Sequence, residues 1–144
     1  MTLAAILKTK GHDVASMRPT STIAEVVAKL AERGIGAVLV EDTLGQILGI
    51  VSERDIVRAL AVHGAATLTM TAGQLMTARP VTAAPGISVA TAMQIMTDGR
   101  FRHLPVMENG KLIGIVSIGD VVKSLLAQQA QDIDSLKAYV VGAM

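Results

Sequence analysis

The spacing of apolar residues along the chain predicts short helices and strands in alternation. Residues 22–34 carry apolar side chains at helical spacing, between a capping threonine and glutamate pair and a terminal glycine. Residues 36–40 and 46–51 are short runs rich in β-branched side chains, and the polar segment between them predicts a hairpin. A second helix is then predicted from Ser52 to about residue 63.

The same succession of elements recurs in the second half of the chain. Its predicted helix, two strands and helix lie at residues 88–98, 102–106, 112–116 and 119–128. A short extended piece precedes the first helix of each copy, at residues 14–17 and 81–83. The repeating unit is therefore strand, helix, strand, strand, helix.

The letters of the sequence repeat together with the pattern. Residues 49–57 read GIVSERDIV, and residues 114–122 read GIVSIGDVV. Upstream of these segments the match continues, but the second copy is one residue shorter, which places the difference in the hairpin turn. That turn contains Asn109-Gly110 in the second copy, a strong short-range hairpin signal.

The repeats predict how the whole chain is organised. We expect a lead-in helix within residues 1–12, a first repeat over 13–64, a linker over 65–75, a second repeat over 76–128 and a C-terminal helix or tail over 129–144. The tail has apolar residues at helical spacing, namely Ile133, Leu136, Tyr139 and Val140. We expect this tail to pack on its own domain, and docking on a partner is the alternative.

The composition of the chain argues against one class of function, nucleic-acid binding. The chain has 144 residues and a formal net charge of +1, which argues against a nucleic-acid binder, since such proteins neutralise phosphates with a basic face. Its single Phe and single Tyr leave no stacking platform for bases. We therefore expect no nucleic-acid partner.

The cysteine content and the lengths of the apolar runs indicate the cellular compartment of the protein. The chain has no cysteine, which excludes disulfides, thiolate zinc sites and cysteine nucleophiles and fits a reducing compartment. No apolar run approaches the roughly 18 residues of a membrane span, and no secretory signal is present at the start. The expected localisation is cytoplasmic, with no membrane partner.

The strand-to-helix junctions of both copies carry a family resemblance. Residues 49–55 and 114–120 share the Gly-Ile-Val-Ser-x-x-Asp pattern, residues 102–106 read Arg-His-Leu-Pro-Val, and Met76-Thr77 leads into the second copy. In this order and at repeat spacing, the chain resembles a CBS-domain pair, named for cystathionine beta-synthase and also called a Bateman module. It is similar to stand-alone bacterial CBS-domain proteins.

The resemblance implies an α/β (α+β) fold and a regulatory function. Tandem β-α-β-β-α repeats pack about a pseudo-twofold axis and leave two clefts for adenine nucleotides, and two such pairs join into a flat dimeric disc. The family's ligands include AMP, ADP, ATP, NAD and S-adenosylmethionine. We expect AMP, ATP or NAD(H) as a regulatory ligand, Mg²⁺ as a companion of ATP, no catalytic cofactor, a homodimer through the CBS pairs, and an unidentified regulated protein that receives the energy or redox signal.

The Ser-x-x-Asp motifs at Ser52-Asp55 and Ser117-Asp120 allow two interpretations. Each pair suits a capping box that satisfies backbone amides at a helix start. The same geometry lets the carboxylate accept hydrogen bonds from ribose hydroxyls while the serine and the helix N-terminus face a phosphate. Because the aspartate occurs in both copies, we favour the ribose role, and capping is compatible with it.

Charged residues suggest that the two sites differ. The family counterparts of Arg102 and His103 face the cleft, so these residues are phosphate candidates, although a solvated strand end would also explain them. The matching residues of the first copy, Gly36 and Ala37, carry no charge. We expect one site that holds polyphosphate and one weaker, adenosine-preferring site, or a first-copy site that depends on Lys10, Arg18 or Arg54.

Adenine recognition is assigned through the resemblance. In the family, backbone groups of the segment entering each repeat bind the adenine edge, which here implies Lys10 to His12 and Met76 to Ala78, with Thr77 between them. Apolar side chains such as Ile50, Ile115 and Met76 would cover the ring, and ordinary core packing is the alternative for each of them.

Catalysis and metal binding have little support in the sequence. There are no paired carboxylates, no phosphate-binding glycine loop and no histidine with an evident orienting partner. We therefore expect that the protein is not an enzyme. The three histidines are scattered, which argues against a metal site. The alternative function is a structural dimer module with vestigial clefts, whose signature would be loss of the ribose aspartates.

Overall fold

The computed structural model describes residues 1–143 of the chain. Its helices are α1 (Leu3–Lys10), α2 (Ile23–Arg33), α3 (Glu53–His63), α4 (Ala72–Leu75), α5 (Val89–Gly99) and α6 (Ile118–Ala143). Its strands are β1 (Ser16–Met17), β2 (Ala37–Glu41), β3 (Ile47–Ser52), β4 (Thr77–Ala78), β5 (His103–Glu108) and β6 (Lys111–Ser117). A 3₁₀ helix, Gly64–Thr69, follows α3. The predicted helix, strand, strand and helix are confirmed in both copies.

The chain forms two units that do not follow the order of the repeats. The N-repeat unit is Asp13–Val81, and the C-repeat unit joins Met1–His12 to Thr82–Met144. Helix α1 precedes the first repeat but belongs to the C-repeat unit. In the same way α4, in the predicted linker, and β4, at the start of the predicted second repeat, belong to the N-repeat unit. Each repeat is therefore completed by the segment that precedes the other one.

The N-repeat unit is built on a four-stranded sheet in the order β1-β2-β3-β4. Strand β1 is parallel to β2, and the other two pairings are antiparallel. Helix α2 begins where Thr22 Oγ1 accepts the Glu25 amide at 3.2 Å and ends at Gly34, whose φ is 62°. Its buried residues belong to the same core cluster as Val38, Val40 and Val51 of the sheet, and this core fixes β3 and the helix that follows it.

The C-repeat unit has the β5–β6 hairpin at its centre. Asn109 and Gly110 form its turn with φ values of 52° and 75°, as a two-residue hairpin turn with positive φ requires. On the other side of β5, the extended piece predicted over 81–83 is reduced to a parallel bridge between Ala83 and Val106. Helix α1 adds the fully buried side chains of Leu3 and Leu7 to the core.

Helix α1 occupies the side of β6 that corresponds to the β4 side of β3. Two glycines allow these crossings, since an added Cβ at Gly49 would lie 2.7 Å from Thr77 O, and one at Gly114 would lie 2.6 Å from Leu7 Cδ2. The Gly of each Gly-Ile-Val-Ser motif thus admits the exchanged segment.

The C-terminal segment differs from the prediction. Helix α6 runs without interruption from Ile118 to Ala143, because residues 120–141 contain neither glycine nor proline to end it. Residues 129–142 are all exposed, so the expectation that this tail packs on its own domain is wrong. Within residues 1–143, neither α6 nor any other helix combines the length and apolar character needed to cross a bilayer.

Candidate functional site

The first junction, between β3 and α3, is a capping box. The Ser52 amide donates to Asp55 Oδ2 at 2.8 Å, and the Ser52 hydroxyl donates to the same oxygen at 2.9 Å. In return, the Asp55 amide donates to Ser52 Oγ at 3.3 Å. These bonds place a half-buried carboxylate on the first turn of α3, beside the positive end of the helix dipole.

The second junction, between β6 and α6, repeats this arrangement. The Ser117 amide donates to Asp120 Oδ2 at 2.8 Å, and the Asp120 amide donates to Ser117 Oγ at 3.2 Å. The predicted capping role is therefore confirmed in both copies. Its effect is to hold two equivalent carboxylates in the same local geometry, one in each unit.

A lysine distinguishes the second junction. Lys10 Nζ, at the end of α1, lies 2.6 Å from Asp120 Oδ2 and donates to the carbonyl of Ile115 at 2.8 Å. Burial raises the pKa of Asp120, but the hydrogen bonds from Lys10 and the Ser117 amide, with the charge of Lys10, outweigh it. The pKa of Asp120 therefore lies below its ordinary value, and the group is a carboxylate at neutral pH.

His12 and Lys10 both lie along β6. His12 Nδ1 is 2.7 Å from the Ile113 carbonyl, two residues before the carbonyl that Lys10 contacts. The expectation that Lys10 serves a first-copy site is wrong, because its ammonium group pairs with the aspartate of the second copy. This contact joins residues 110 positions apart in the chain.

The other segment expected to contact adenine, Met76 to Ala78, also lies in the unit of the opposite repeat. Thr77 and Ala78 pair with Ile50 and Gly49 on β3, which leads directly to Ser52. They therefore lie in the unit that contains Asp55. Met76 packs against the core of that unit, and Ile50 is buried, which fits ordinary core packing for both.

The internal repeat extends further upstream than predicted, and this extension indicates which segment completes each unit. Thr2 and Thr71 are the N-cap residues of α1 and α4, and each forms an isolated bridge within its own unit, to Ser88 and to Thr22 respectively. The repeat thus extends upstream into residues 2–10, within the predicted lead-in, and to residue 71, within the predicted linker.

The phosphate candidates occupy equivalent backbone positions in the two units. The amide of Ile118 donates to the carbonyl of Arg102 at 2.8 Å, as the amide of Glu53 donates to that of Gly36 at 2.9 Å. His103 pairs with Ser117 across β5 and β6, as Ala37 pairs with Ser52 across β2 and β3. The difference in charge therefore falls at matched positions next to the two aspartates.

The remaining arginine candidates lie at different places. Arg54 is exposed on the first turn of α3, where α6 has Gly119. The Arg18 guanidinium contacts the carbonyl of Asp42, in the turn of the β2–β3 hairpin. That turn is at the opposite end of β2 from Ala37 and Ser52. The structure does not bring Arg18 to the first junction.

Comparison with known families identifies the repeats. The family described as "CBS domain" matches the chain twice, over residues 7–62 and 72–127. The chain belongs to the CBS-domain family. Each match contains one Ser-x-x-Asp junction, so both capping boxes of this CBS-domain pair lie within the residues that match the family.

Individual CBS-domain proteins resemble the chain over most of its length. The crystal structure of one from Agrobacterium tumefaciens has 45% sequence identity and a TM-score of 0.84, covering 86% of this chain and 98% of its own. A mitochondrial CBS domain-containing protein of Arabidopsis thaliana is 32% identical, covering 98% of this chain and 72% of itself. One from Pyrobaculum aerophilum, complexed with AMP, has 28% identity and a TM-score of 0.77, covering 91% of this chain and 99% of its own.

Proposed function

We propose that this CBS-domain protein is a regulatory module that binds adenine nucleotides at its two strand-to-helix junctions and signals energy or redox state to a partner protein. The observation that carries the proposal is the pair of carboxylates, Asp55 and Asp120, each held by a serine amide on the first turn of a helix. The AMP complex of the Pyrobaculum aerophilum protein supports adenine nucleotides as the ligand class.

The junction geometry suits ribose recognition. The capping bonds run to Oδ2 of each aspartate, and an ionised carboxylate offers about four acceptor sites on its two oxygens. Vicinal ribose hydroxyls can therefore donate to the same carboxylate that caps the helix. The N-terminus of each helix, beside the carboxylate, favours a phosphate.

The difference in charge gives the two junctions different preferences in this proposal. Lys10 pairs with Asp120, and Arg102 and His103 lie at the start of the strand beside this junction. These basic residues would favour ATP, with Mg²⁺ as the companion of its phosphates. The Asp55 junction has Gly36 and Ala37 at the matching positions and would favour AMP or the adenosine part of NAD(H). The two sites then differ in affinity for the same nucleotide.

The rest of the proposal concerns how the module works in the cell. It has no catalytic role and no catalytic cofactor, and it acts through a regulated protein that it contacts. Two copies join through their CBS pairs into a dimeric disc, and the compartment is the cytoplasm. A regulatory ligand acts only if it binds two conformations of the module with different affinity, so its effect is a population shift.

A structural dimer module is the alternative function. It is favoured by the contact between Lys10 and Asp120, because this ion pair satisfies the carboxylate within the chain, without any ligand. Under this alternative, the junctions serve only to cap α3 and α6.

Calorimetric titration separates the two functions. Nucleotide-stripped protein is titrated with AMP, ATP, NADH and S-adenosylmethionine. We expect saturable binding, and a loss of roughly ten- to a hundredfold in affinity at the affected site for Asp55→Asn or Asp120→Asn, because each removes a charged acceptor. Glu25→Gln changes a carboxylate on the first turn of α2 and serves as the control. If none of the four ligands binds to folded protein, the structural module is the better account.

A further inference from the structure

Helix α6 has a packed beginning and an exposed end. Val121 is buried, and Leu125 packs against the core of the C-repeat unit. From residue 129 to residue 142 every residue is exposed. A helix of about 12–15 residues without tertiary packing is only marginally stable in water, so this segment needs a partner surface to stabilise it.

The exposed end carries apolar residues with the spacing of a coiled coil. Counting Leu126 as position a of a heptad, the a positions are Leu126, Ile133 and Val140, and the d positions are Val122, Gln129 and Leu136. Leu126 is 60% exposed, Ile133 54% and Leu136 63%, although five of the six positions are apolar. An apolar a/d repeat of this kind buries its seam against a second helix.

This stripe is distinct from the face that α6 packs on its own unit. Val121 and Leu125 lie at positions c and g, and the centre of the a/d stripe is roughly a quarter of a turn away around the helix. The stripe can therefore contact another helix while the first turns of α6 stay packed.

Two charges favour one partner and one orientation. Asp132 is at position g, and Lys137 is at position e of the next heptad. In a parallel in-register pair of helices, g of one helix faces the following e of the other, so Asp132 of each copy would face Lys137 of the second copy. An antiparallel pair brings g positions to g positions and loses this complementarity.

We propose that residues 122–140 form a parallel two-stranded coiled coil with a second copy of this chain. β-Branched Ile133 and Val140 at a, with Leu136 at d, favour two strands, and the polar Gln129 in the seam helps to fix the register. A membrane surface is disfavoured because the polar side of residues 129–142 carries Asp132 and Asp134 against one lysine, whereas interfacial helices are rich in basic residues. The coiled coil makes the dimer parallel and requires no nucleotide.

Disulfide trapping tests the pairing, because the chain has no cysteine of its own. In a parallel in-register coiled coil each d position meets itself, close enough for a disulfide. We expect full-length Leu136→Cys to form a covalent, reducible dimer under mild oxidation at micromolar concentration. Ala138→Cys, at position f on the outside of the pair, is the matched control and should stay monomeric on a non-reducing gel.

Charge reversal tests the orientation in the same assay. In the Leu136→Cys background, Asp132→Lys should slow disulfide formation severalfold, and adding Lys137→Asp should restore it. Equal trapping of the 136 and 138 cysteines overturns the proposal, as does co-sedimentation of the wild-type chain with anionic phospholipid vesicles in place of dimer formation. Nucleotide is absent throughout, so this outcome is independent of whether the junctions bind a ligand.

Discussion

Two glycines, Gly49 and Gly114, allow β4 and α1 to approach β3 and β6 closely. At Gly49 the nearest obstacles to a side chain include the backbone carbonyl of Thr77, whereas at Gly114 they are atoms of the Leu7 side chain. A side chain can change rotamer to give way, but a paired backbone strand cannot. The two glycines of the repeated motif therefore tolerate substitution to different degrees.

Alanine substitutions should expose this difference. Gly49→Ala forces Thr77 and the backbone of β4 aside and should reduce the free energy of unfolding by about 1–3 kcal/mol, as overpacking does. Gly114→Ala should cost less, because Leu7 can adjust. Gly86→Ala is the control, since nothing lies within 4 Å of its added Cβ. Urea unfolding measures all three, and an equal loss for Gly49 and Gly86 would contradict the account.

The ion pair between Lys10 and Asp120 should make stability depend on pH. Because the folded pKa of Asp120 is lowered, its contribution is complete above the ordinary aspartate pKa of about 3.9 and disappears as the pH falls through the lowered value. Lys10→Met should therefore cost up to about 1 kcal/mol more at neutral pH than in strong acid, where only the hydrogen bond to the Ile115 carbonyl is lost.

Lys8→Met is the matched control for this effect, because Lys8 is an exposed lysine on the same helix. Urea unfolding of both variants across the acid range measures the difference. A cost for Lys10→Met that stays constant down to the lowest pH would show that Lys10 acts through packing and not through the charge of Asp120.

At the scale of elements, the local signals in the sequence predicted most helices and strands. The caps at Thr22 and Ser52, the glycine after α2 and the Asn109-Gly110 turn each act within a few residues, so a single sequence displays them. The sequence does not distinguish a packed end of α6 from an exposed one, because its apolar stripe fits both equally well.

Local sequence signals do not specify the residues that α1 contacts. Its contacts with β6 and Asp120 join residues more than a hundred positions apart, and no local pattern specifies such pairing. The two aspartates were found because the motif repeats, and the capping geometry followed from their spacing. The lysine or the backbone segment near each aspartate comes from the part of the chain that precedes the other repeat. Only the structure therefore assigns them.

Helix α1 should be essential to the stability of the C-repeat unit. Leu7→Ala removes a fully buried side chain that packs with the core of this unit and should cost about 2–5 kcal/mol. Thr9→Ala, exposed on the same helix, is the control and should change stability little. Hydrogen exchange should localise the loss to amides of β5 and β6, and a loss confined to β2 and β3 would contradict the division into units.

At the scale of the whole molecule, the exchange predicts which fragments can fold. Residues 13–81 contain every element of the N-repeat unit, whereas residues 76–144 lack α1, which fills the C-repeat core. The first fragment should unfold cooperatively in urea. The second should lack a cooperative transition and gain one when a peptide of residues 1–12 is added. Cooperative folding of residues 76–144 alone would show that α1 is dispensable.

Amide chemical shifts of the labelled full-length protein during titration with AMP show directly whether the two Ser-x-x-Asp junctions bind adenine nucleotide. We expect saturable shifts of the amides of Ser52, Asp55, Ser117 and Asp120, since these groups build the junctions. Saturation at the Asp55 junction should come at lower AMP concentration than at the Asp120 junction. Unchanged junction amides at millimolar AMP, in protein that remains folded, would mean that the junctions do not bind this nucleotide.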